Sequence, residues 1–128
     1  MNQKIFQYII ANKKIVHRKI ERPLPDKNEV LIKVKAAGIN RADLLQVEGK
    51  YFAPENYENL PGLEVAGEIV QIGNEVNHFN IGEKVCGLLP GGGYSEYVIL
   101  NQDILLPIPS SLSYLEAASL PESVYSFI

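Results

Sequence analysis

The chain has 128 residues, a length that suits one compact domain, and its 46% apolar and 21% charged residues are typical of a globular protein. It contains no apolar run of the roughly 18 residues that a transmembrane helix needs, and no signal-peptide pattern opens the sequence. We therefore expect a cytoplasmic protein without a membrane partner. The single cysteine, Cys86, excludes an internal disulfide and a multi-cysteine metal site.

Positive charge is concentrated near the N-terminus. Ten basic and three acidic residues lie in the first 41 positions, a net charge of +7, whereas the remaining 87 residues hold two basic and twelve acidic residues, a net charge of −10. A basic segment can bind nucleic acid. Here the basic residues alternate with apolar ones and form no dense run, which favours two halves that interleave in one domain. We therefore expect no nucleic-acid partner.

The first half of the sequence predicts a hairpin, a strand and a short helix. Residues 4–10 and 13–20 are rich in Ile, Val, Phe and Tyr, with an interruption at 11–12 that is typical of a hairpin. After a turn-rich connection, residues 29–36 alternate apolar and charged side chains, which predicts a strand with one solvated face. Residues 40–47 can form a short helix. Residues 48–61 predict a long loop, and such loops are often functional.

Short strands dominate the second half. Residues 63–72 form an apolar strand in which Gly67 predicts a bulge or a close backbone approach. Further strands are predicted over 84–89, 94–100 and 104–108, with a proline- and glycine-containing turn between the first two. Ser113 and Glu116 have the spacing of a capping box, and Pro121 fits the first turn of another helix. Many short strands at close spacing predict a mainly β fold, either a barrel or a sandwich.

Several segments together resemble one known family. They are AGINRADLLQ at 37–46, LPGLEVAGEIV at 60–70 and IGEKVCG at 81–87, supported by LLPGGGY at 88–94 and AASLPE at 117–122. Their order and spacing are similar to the N-terminal domain of medium-chain dehydrogenases/reductases, in the zinc-independent quinone oxidoreductase, or zeta-crystallin-like, branch. The resemblance covers about residues 3 to 126.

The resemblance implies a fold and an activity. The fold is a chaperonin-10-like (GroES-like) β-barrel over residues 1–112, and residues 113–128 would be a helical linker towards a Rossmann domain that is absent from this sequence. The activity is hydride transfer from NADPH to a quinone or another small electron-poor carbonyl. The parent protein would be a homodimer with NADP(H) as its cofactor and no zinc, and we expect this 128-residue fragment to be inactive alone.

Two positions bear on the absence of zinc. Zinc-dependent relatives carry a cysteine at the position of Asn40 and a histidine at the position of Leu63. Catalytic zinc needs nitrogen, sulfur or carboxylate donors, and leucine offers none. The two histidines, His17 and His78, are far apart in the sequence, and we expect both at the surface. The sequence therefore predicts no metal site.

The resemblance also assigns site residues. In the family, a loop tyrosine and an asparagine at the start of a short helix approach the nicotinamide, and they match Tyr51 and Asn40. Tyr51 would be the catalytic residue and would also contact the cofactor, since it can stack and donate its hydroxyl. Asn40 would bind the cofactor through its amide. The alternative for Asn40 is a helix N-cap, and for Tyr51 a packed loop aromatic.

Other polar residues have structural interpretations. We expect Asp43 to stabilise the first turn of the helix, and Glu64 to be a buried structural carboxylate. Cys86 is interpreted as an inert core residue. Arg41 could face a phosphate or pair with an acid, and we favour the pairing. Two further functions stay open, a stand-alone GroES-like binding or assembly module and an enoyl-reductase-type domain. The helix signals after residue 112 favour a domain that leads to another over a self-sufficient barrel.

Overall fold

The computed structural model describes residues 3–50 and 53–118, and its first element is the predicted hairpin. Strands β1 (Lys4–Ala11) and β2 (Lys14–Glu21) pair antiparallel along their whole length. The turn residues Asn12 and Lys13 both have positive φ angles, 52° and 59°, as a two-residue type I′ turn requires. The backbone twist of a type I′ turn matches the right-handed twist of the flanking strands, so the chain reverses its direction at these two residues.

Five further strands form a curled antiparallel sheet in the order β6-β3-β4-β5-β7. They are β3 (Glu29–Ala37), β4 (Glu64–Ile72), β5 (Lys84–Leu88), β6 (Tyr97–Asn101) and β7 (Leu105–Pro107). Strand β3 comes from the basic half of the sequence and lies between two strands of the acidic half, so the two halves interleave as expected. Gly67 makes the predicted close approach, because a Cβ there would stand 2.2 Å from the carbonyl oxygen of Lys33.

The hydrophobic core lies inside the curl of this sheet. Its members are buried side chains from every strand of the sheet and from the residue that follows β5: Val30, Ile32, Val65, Ile69, Val85, Leu89, Val98, Leu100 and Leu105. A second cluster joins helix α2 (Tyr114–Ala117) to the sheet through Ala117, Ala118 and Cys86. Ser113 caps α2 with the predicted capping box. Among the described residues, no helix is long and apolar enough to cross a membrane.

The strand that was predicted over 94–100 begins later, at Tyr97. The reason is that residues 94–96 pair with the hairpin instead. The Tyr8 N–H donates to the Tyr94 carbonyl at 2.8 Å, and the Glu96 N–H donates to the Phe6 carbonyl at 3.1 Å. This connection joins the hairpin to the large sheet and brings Tyr94 to the start of helix α1 (Arg41–Val47).

Candidate functional site

The residue that the resemblance assigned to the cofactor, Asn40, comes directly before helix α1. Asn40 is the N-cap of the helix, and its backbone N–H donates to Asp43 Oδ2 at 2.9 Å, as in a capping box. The Asn40 side-chain Nδ2 donates to Glu64 Oε1 at 3.1 Å. The N-cap interpretation of Asn40 is therefore confirmed, and its contact with a cofactor stays a prediction. Its amide is held in one orientation by the carboxylate at the start of β4.

Asp43 is a buried carboxylate that joins three segments of the chain. It is 3% exposed, and its Oδ2 accepts from the Tyr94 hydroxyl at 2.9 Å as well as from Asn40. Its Oδ1 accepts from the Gly62 N–H at 3.0 Å. The expected role in the first turn of the helix is thus confirmed, but sequence reasoning missed the contacts with Gly62 and Tyr94, which come from distant parts of the chain.

Glu64 is buried, as predicted, and the backbone makes room for it. The residue is 2% exposed, and a Cβ added at Gly38 would stand 2.2 Å from Glu64 Oε1. The Gly38 N–H also donates to the Glu64 carbonyl at 3.0 Å. A glycine at position 38 therefore lets the Glu64 carboxylate lie against the loop that leads into α1.

Gln46 ties the same helix to the loop that follows it. Its side-chain Nε2 donates to the carbonyl oxygens of Tyr57 and Glu58, at 2.8 and 3.0 Å. The side chain is buried, and its Oε1 has no hydrogen-bond partner among the residues that the structure describes. Gln46 was not singled out in the sequence, because a glutamine inside a short helix gives no signal of a tertiary contact. Asp43 and Gln46, three residues apart, make a polar face on α1 that fixes residues 57–62.

Tyr94 lines two apolar grooves beside this helix. One groove, of about 360 Å³, runs between the hairpin and β3 past Phe6, Tyr8 and Val34. The other, of about 300 Å³, lies over α1 and is lined by Ile15, Ile39, Ala37, Leu44, Val47, Asp43 and Tyr94. The hydroxyl pKa of Tyr94 is raised above its usual range by burial, by the Asp43 carboxylate and by Glu64. The hydroxyl therefore stays protonated and remains a donor.

Tyr51, the other assigned site residue, lies outside the described residues, so its separation from Asn40 stays a prediction. The Pro121 helix start also lies outside them. His17 and His78 are exposed, as expected. Arg41 has no ion pair with an acid in the described ranges, so the expected pairing is not found. In the same ranges, no three His, Cys, Asp or Glu side chains cluster in a way that could hold a metal ion.

Cys86 is an inert core thiol in the structure as well. It is 1% exposed, and its pKa is raised to about 11, first by burial and then by the nearby Glu64 carboxylate. A thiolate is the form that attacks electrophiles or binds metals, so this thiol does neither near neutral pH.

The raised pKa of Cys86 predicts a loss of stability in alkali. Below its ordinary value of 9.0 the thiol is protonated in both states and has no effect. Between about pH 9 and 11 only the unfolded chain releases the proton, so the free energy of unfolding falls as pH rises through this window, by up to about 3 kcal/mol. Urea unfolding of the wild type and of Cys86→Ala at several pH values measures it. If the free energy of unfolding depends on pH in the same way in the two proteins, the effect is excluded.

Comparison with known proteins agrees with this architecture. Residues 26–110 match the family described as the alcohol dehydrogenase GroES-like domain, and the chain belongs to this family. A relative from Nematostella vectensis named quinone oxidoreductase-like protein 2 homolog is 40% identical over 94 residues, which are 73% of this chain and 26% of the relative.

Solved structures are similar over nearly the whole chain. The quinone oxidoreductase from Coxiella burnetii superimposes with a TM-score of 0.82 at 30% identity, over 93% of this chain and 41% of that one. The CurK enoyl reductase gives 0.87 at 28% identity, over 97% and 41%. The predicted GroES-like fold and the resemblance to quinone oxidoreductases are therefore confirmed. The chain spans about a quarter to a third of the curated relatives that it matches.

Proposed function

We propose that this chain is the GroES-like, catalytic-side domain of an NADPH-dependent quinone oxidoreductase. In this proposal a Rossmann domain binds most of the NADPH, and the complete protein is a homodimer. The named relatives support oxidoreductase chemistry, and their greater length supports a second domain. The observation that carries the proposal is the start of helix α1, where Asn40 is held against buried Glu64 by an oriented side-chain hydrogen bond.

The residues of this chain would bind and orient the cofactor and the quinone, and they would not supply electrons themselves. NADPH, when bound, supplies the hydride. The Asn40 amide is a donor and acceptor of the kind that suits a ribose hydroxyl or a carboxamide. Tyr51 would stack on the quinone ring and donate its hydroxyl to the oxygen on which negative charge develops. The apolar groove beside Tyr94 and Leu44 would shelter the ring from water.

The residues at this site support a reaction without zinc. The Asn40 side-chain nitrogen is a hydrogen-bond donor to Glu64, Leu63 offers no ligand atom, and the Cys86 thiol is buried and protonated. A quinone carbonyl is already electron-poor, so its reduction needs no metal as a Lewis acid.

We expect the purified chain to hold far less than one equivalent of zinc. The physical reason is that Asn40, Leu63 and the single cysteine, Cys86, do not supply the tetrahedral set of nitrogen and sulfur donors that a zinc site needs. Elemental analysis by mass spectrometry, after dialysis against a chelator, measures it. A tightly bound zinc ion in stoichiometric amount would contradict the metal-free mechanism.

An enoyl-reductase-type reaction is the second candidate, because the CurK enoyl reductase is among the similar structures. Both reactions deliver a hydride to an electron-poor conjugated carbonyl, and they differ in the substrate. The third possibility is a binding or assembly module that works without catalysis. These alternatives are separated by which substrate, if any, is turned over.

The test joins this chain to the part of the Coxiella burnetii quinone oxidoreductase beyond the region that the chain matches. We expect NADPH oxidation with a benzoquinone, and none for the 128-residue chain alone, because its sequence contains no glycine-rich dinucleotide fingerprint. Faster turnover of an enoyl thioester would favour the second candidate. No turnover of either, while the unmodified Coxiella burnetii enzyme is active, would exclude a catalytic domain.

Two variants of this fusion test the assigned residues. Tyr51→Phe should lower kcat/KM by roughly tenfold or less if stacking dominates, and by more if the hydroxyl stabilises the reduced oxygen. Asn40→Ala should raise the KM for NADPH or lower kcat while the domain stays folded. Tyr97→Phe, on strand β6, is the matched control and should leave both constants unchanged. Equal kinetics in all four proteins would contradict the site assignment.

A further inference from the structure

The Asp43 carboxylate is a hub on which Asn40 depends. It accepts from three donors that lie far apart in the sequence: the Asn40 N–H, the Gly62 N–H and the Tyr94 hydroxyl, at 2.9, 3.0 and 2.9 Å. Because the carboxylate is 3% exposed, water cannot replace a lost donor or acceptor easily. One of these bonds is made by the backbone of Asn40, the N-cap of α1.

The backbone segments that contain Gly62 and Tyr94 pass close to each other, next to Asp43. Gly62 has a φ angle of 104°, and the Gly93 N–H donates to the Gly62 carbonyl at 3.0 Å. The Tyr94 hydroxyl also lies 3.3 Å from the Gly38 carbonyl, in the loop before Asn40. Tyr94 therefore contacts both sides of the Asn40 backbone, through Gly38 before it and Asp43 after it.

A separate hydrogen bond holds the Asn40 side chain. Its Nδ2 donates to Glu64 Oε1, and Glu64 is 2% exposed at the start of β4. The amide can keep this hydrogen bond only while the backbone of residue 40 stays in place. The backbone in turn is held by Asp43, whose second donor on Oδ2 is the Tyr94 hydroxyl.

We propose that Tyr94 and Asp43 are positioning residues of the hydride-transfer site, which hold the start of α1 so that the Asn40 amide keeps one orientation. This inference rests on the proposed function for its consequence in catalysis. The geometry that carries it, three donors on one buried carboxylate next to Asn40, does not depend on the substrate. Neither residue needs to touch the cofactor.

The first experiment measures the Asn40 side-chain amide in the 128-residue chain itself. In ¹⁵N-labelled protein, we expect Tyr94→Phe to shift the Asn40 side-chain resonances and to speed their hydrogen exchange by roughly tenfold under native conditions. The variant removes one oxygen atom and keeps the ring, so the fold is retained. Tyr97→Phe is the control, because the structure gives its hydroxyl no hydrogen bond among the described residues. Unchanged Asn40 resonances and exchange in Tyr94→Phe would overturn the proposal.

The second experiment separates positioning from simple stability in the fusion enzyme. We expect Tyr94→Phe to raise the KM for NADPH by about fivefold, and to add little to Asn40→Ala in the double variant, since both act through one group. Fully additive effects would overturn the proposal, because a residue that only stabilises the fold acts independently of Asn40. If the wild-type fusion is inactive, the proposed function fails, and the amide measurement still decides whether Tyr94 holds Asn40.

Discussion

Asp43→Ala should be one of the two most damaging substitutions in the described part of the domain. It removes the acceptor for three donors. The buried Gly62 N–H is then left without a partner, whereas the Tyr94 hydroxyl keeps only its longer contact of 3.3 Å with the Gly38 carbonyl. The unsatisfied N–H costs about 1–3 kcal/mol, and the weakened Tyr94 bond and the lost contact with the N-cap add about 1 kcal/mol each. We therefore expect the free energy of unfolding to fall by about 3–5 kcal/mol in urea titrations monitored by circular dichroism.

The matched control for Asp43 is Asp103→Ala. Asp103 is also in the first turn of a short helix, the 3₁₀ helix Gln102–Ile104, but its side chain is exposed. An exposed carboxylate of this kind contributes about 0.5 kcal/mol or less. If the two substitutions cost the same, the hub that joins α1, Gly62 and Tyr94 would not exist in solution, and the positioning role proposed for Asp43 would fall with it.

Local patterns predicted the elements of this fold because each depends on neighbouring residues. The hairpin is encoded by two β-branched runs around a turn whose residues have positive φ, and helix α2 by the capping box of Ser113 and Glu116. The strand that contains Gly67 was predicted together with the close backbone approach at this glycine. In each case the evidence lies within a few residues of the element that it predicts.

The candidate site was predictable only in part, because its contacts link distant segments. Tyr94 and Asp43 are 51 residues apart, and they meet because residues 94–96 pair with the hairpin before β6 begins. The two register shifts between β3 and β4 also set which residues come together. One lies opposite Gly67, where the sequence predicts a bulge or a close approach, and the other, between Leu31 and Ile32, has no such signal. Asn40 was assigned through the resemblance. Its hydrogen bond to Glu64 could not be predicted, because it depends on the pairing of β3 with β4. The sequence predicted the glycine run before Tyr94 only as a turn.

Gly62→Ala is the other substitution with a large expected effect. The residue has a φ angle of 104°, in a region that residues with a Cβ rarely adopt. The added Cβ would stand 2.6 Å from the Tyr94 nitrogen and 2.7 Å from the Gly93 nitrogen and Cα, and these are backbone atoms that cannot rotate away. We expect a loss of about 3 kcal/mol or more in the free energy of unfolding, from strain and overlap together.

Gly82→Ala separates the two causes of this loss. Gly82 has a similar φ angle, 96°, but an added Cβ would meet nothing within 4 Å. Its replacement therefore measures the backbone strain alone, about 1–2 kcal/mol. The difference between the two variants is the cost of separating the two backbone segments that cross at Gly62 and Gly93, a separation that also moves Tyr94 away from Asp43. Gly62→Ala should therefore release the Asn40 side-chain amide as Tyr94→Phe does, and Gly82→Ala should not. Equal losses of stability in the two glycine variants, with the Asn40 amide unchanged in both, would mean that the backbone crossing does not hold the candidate site together.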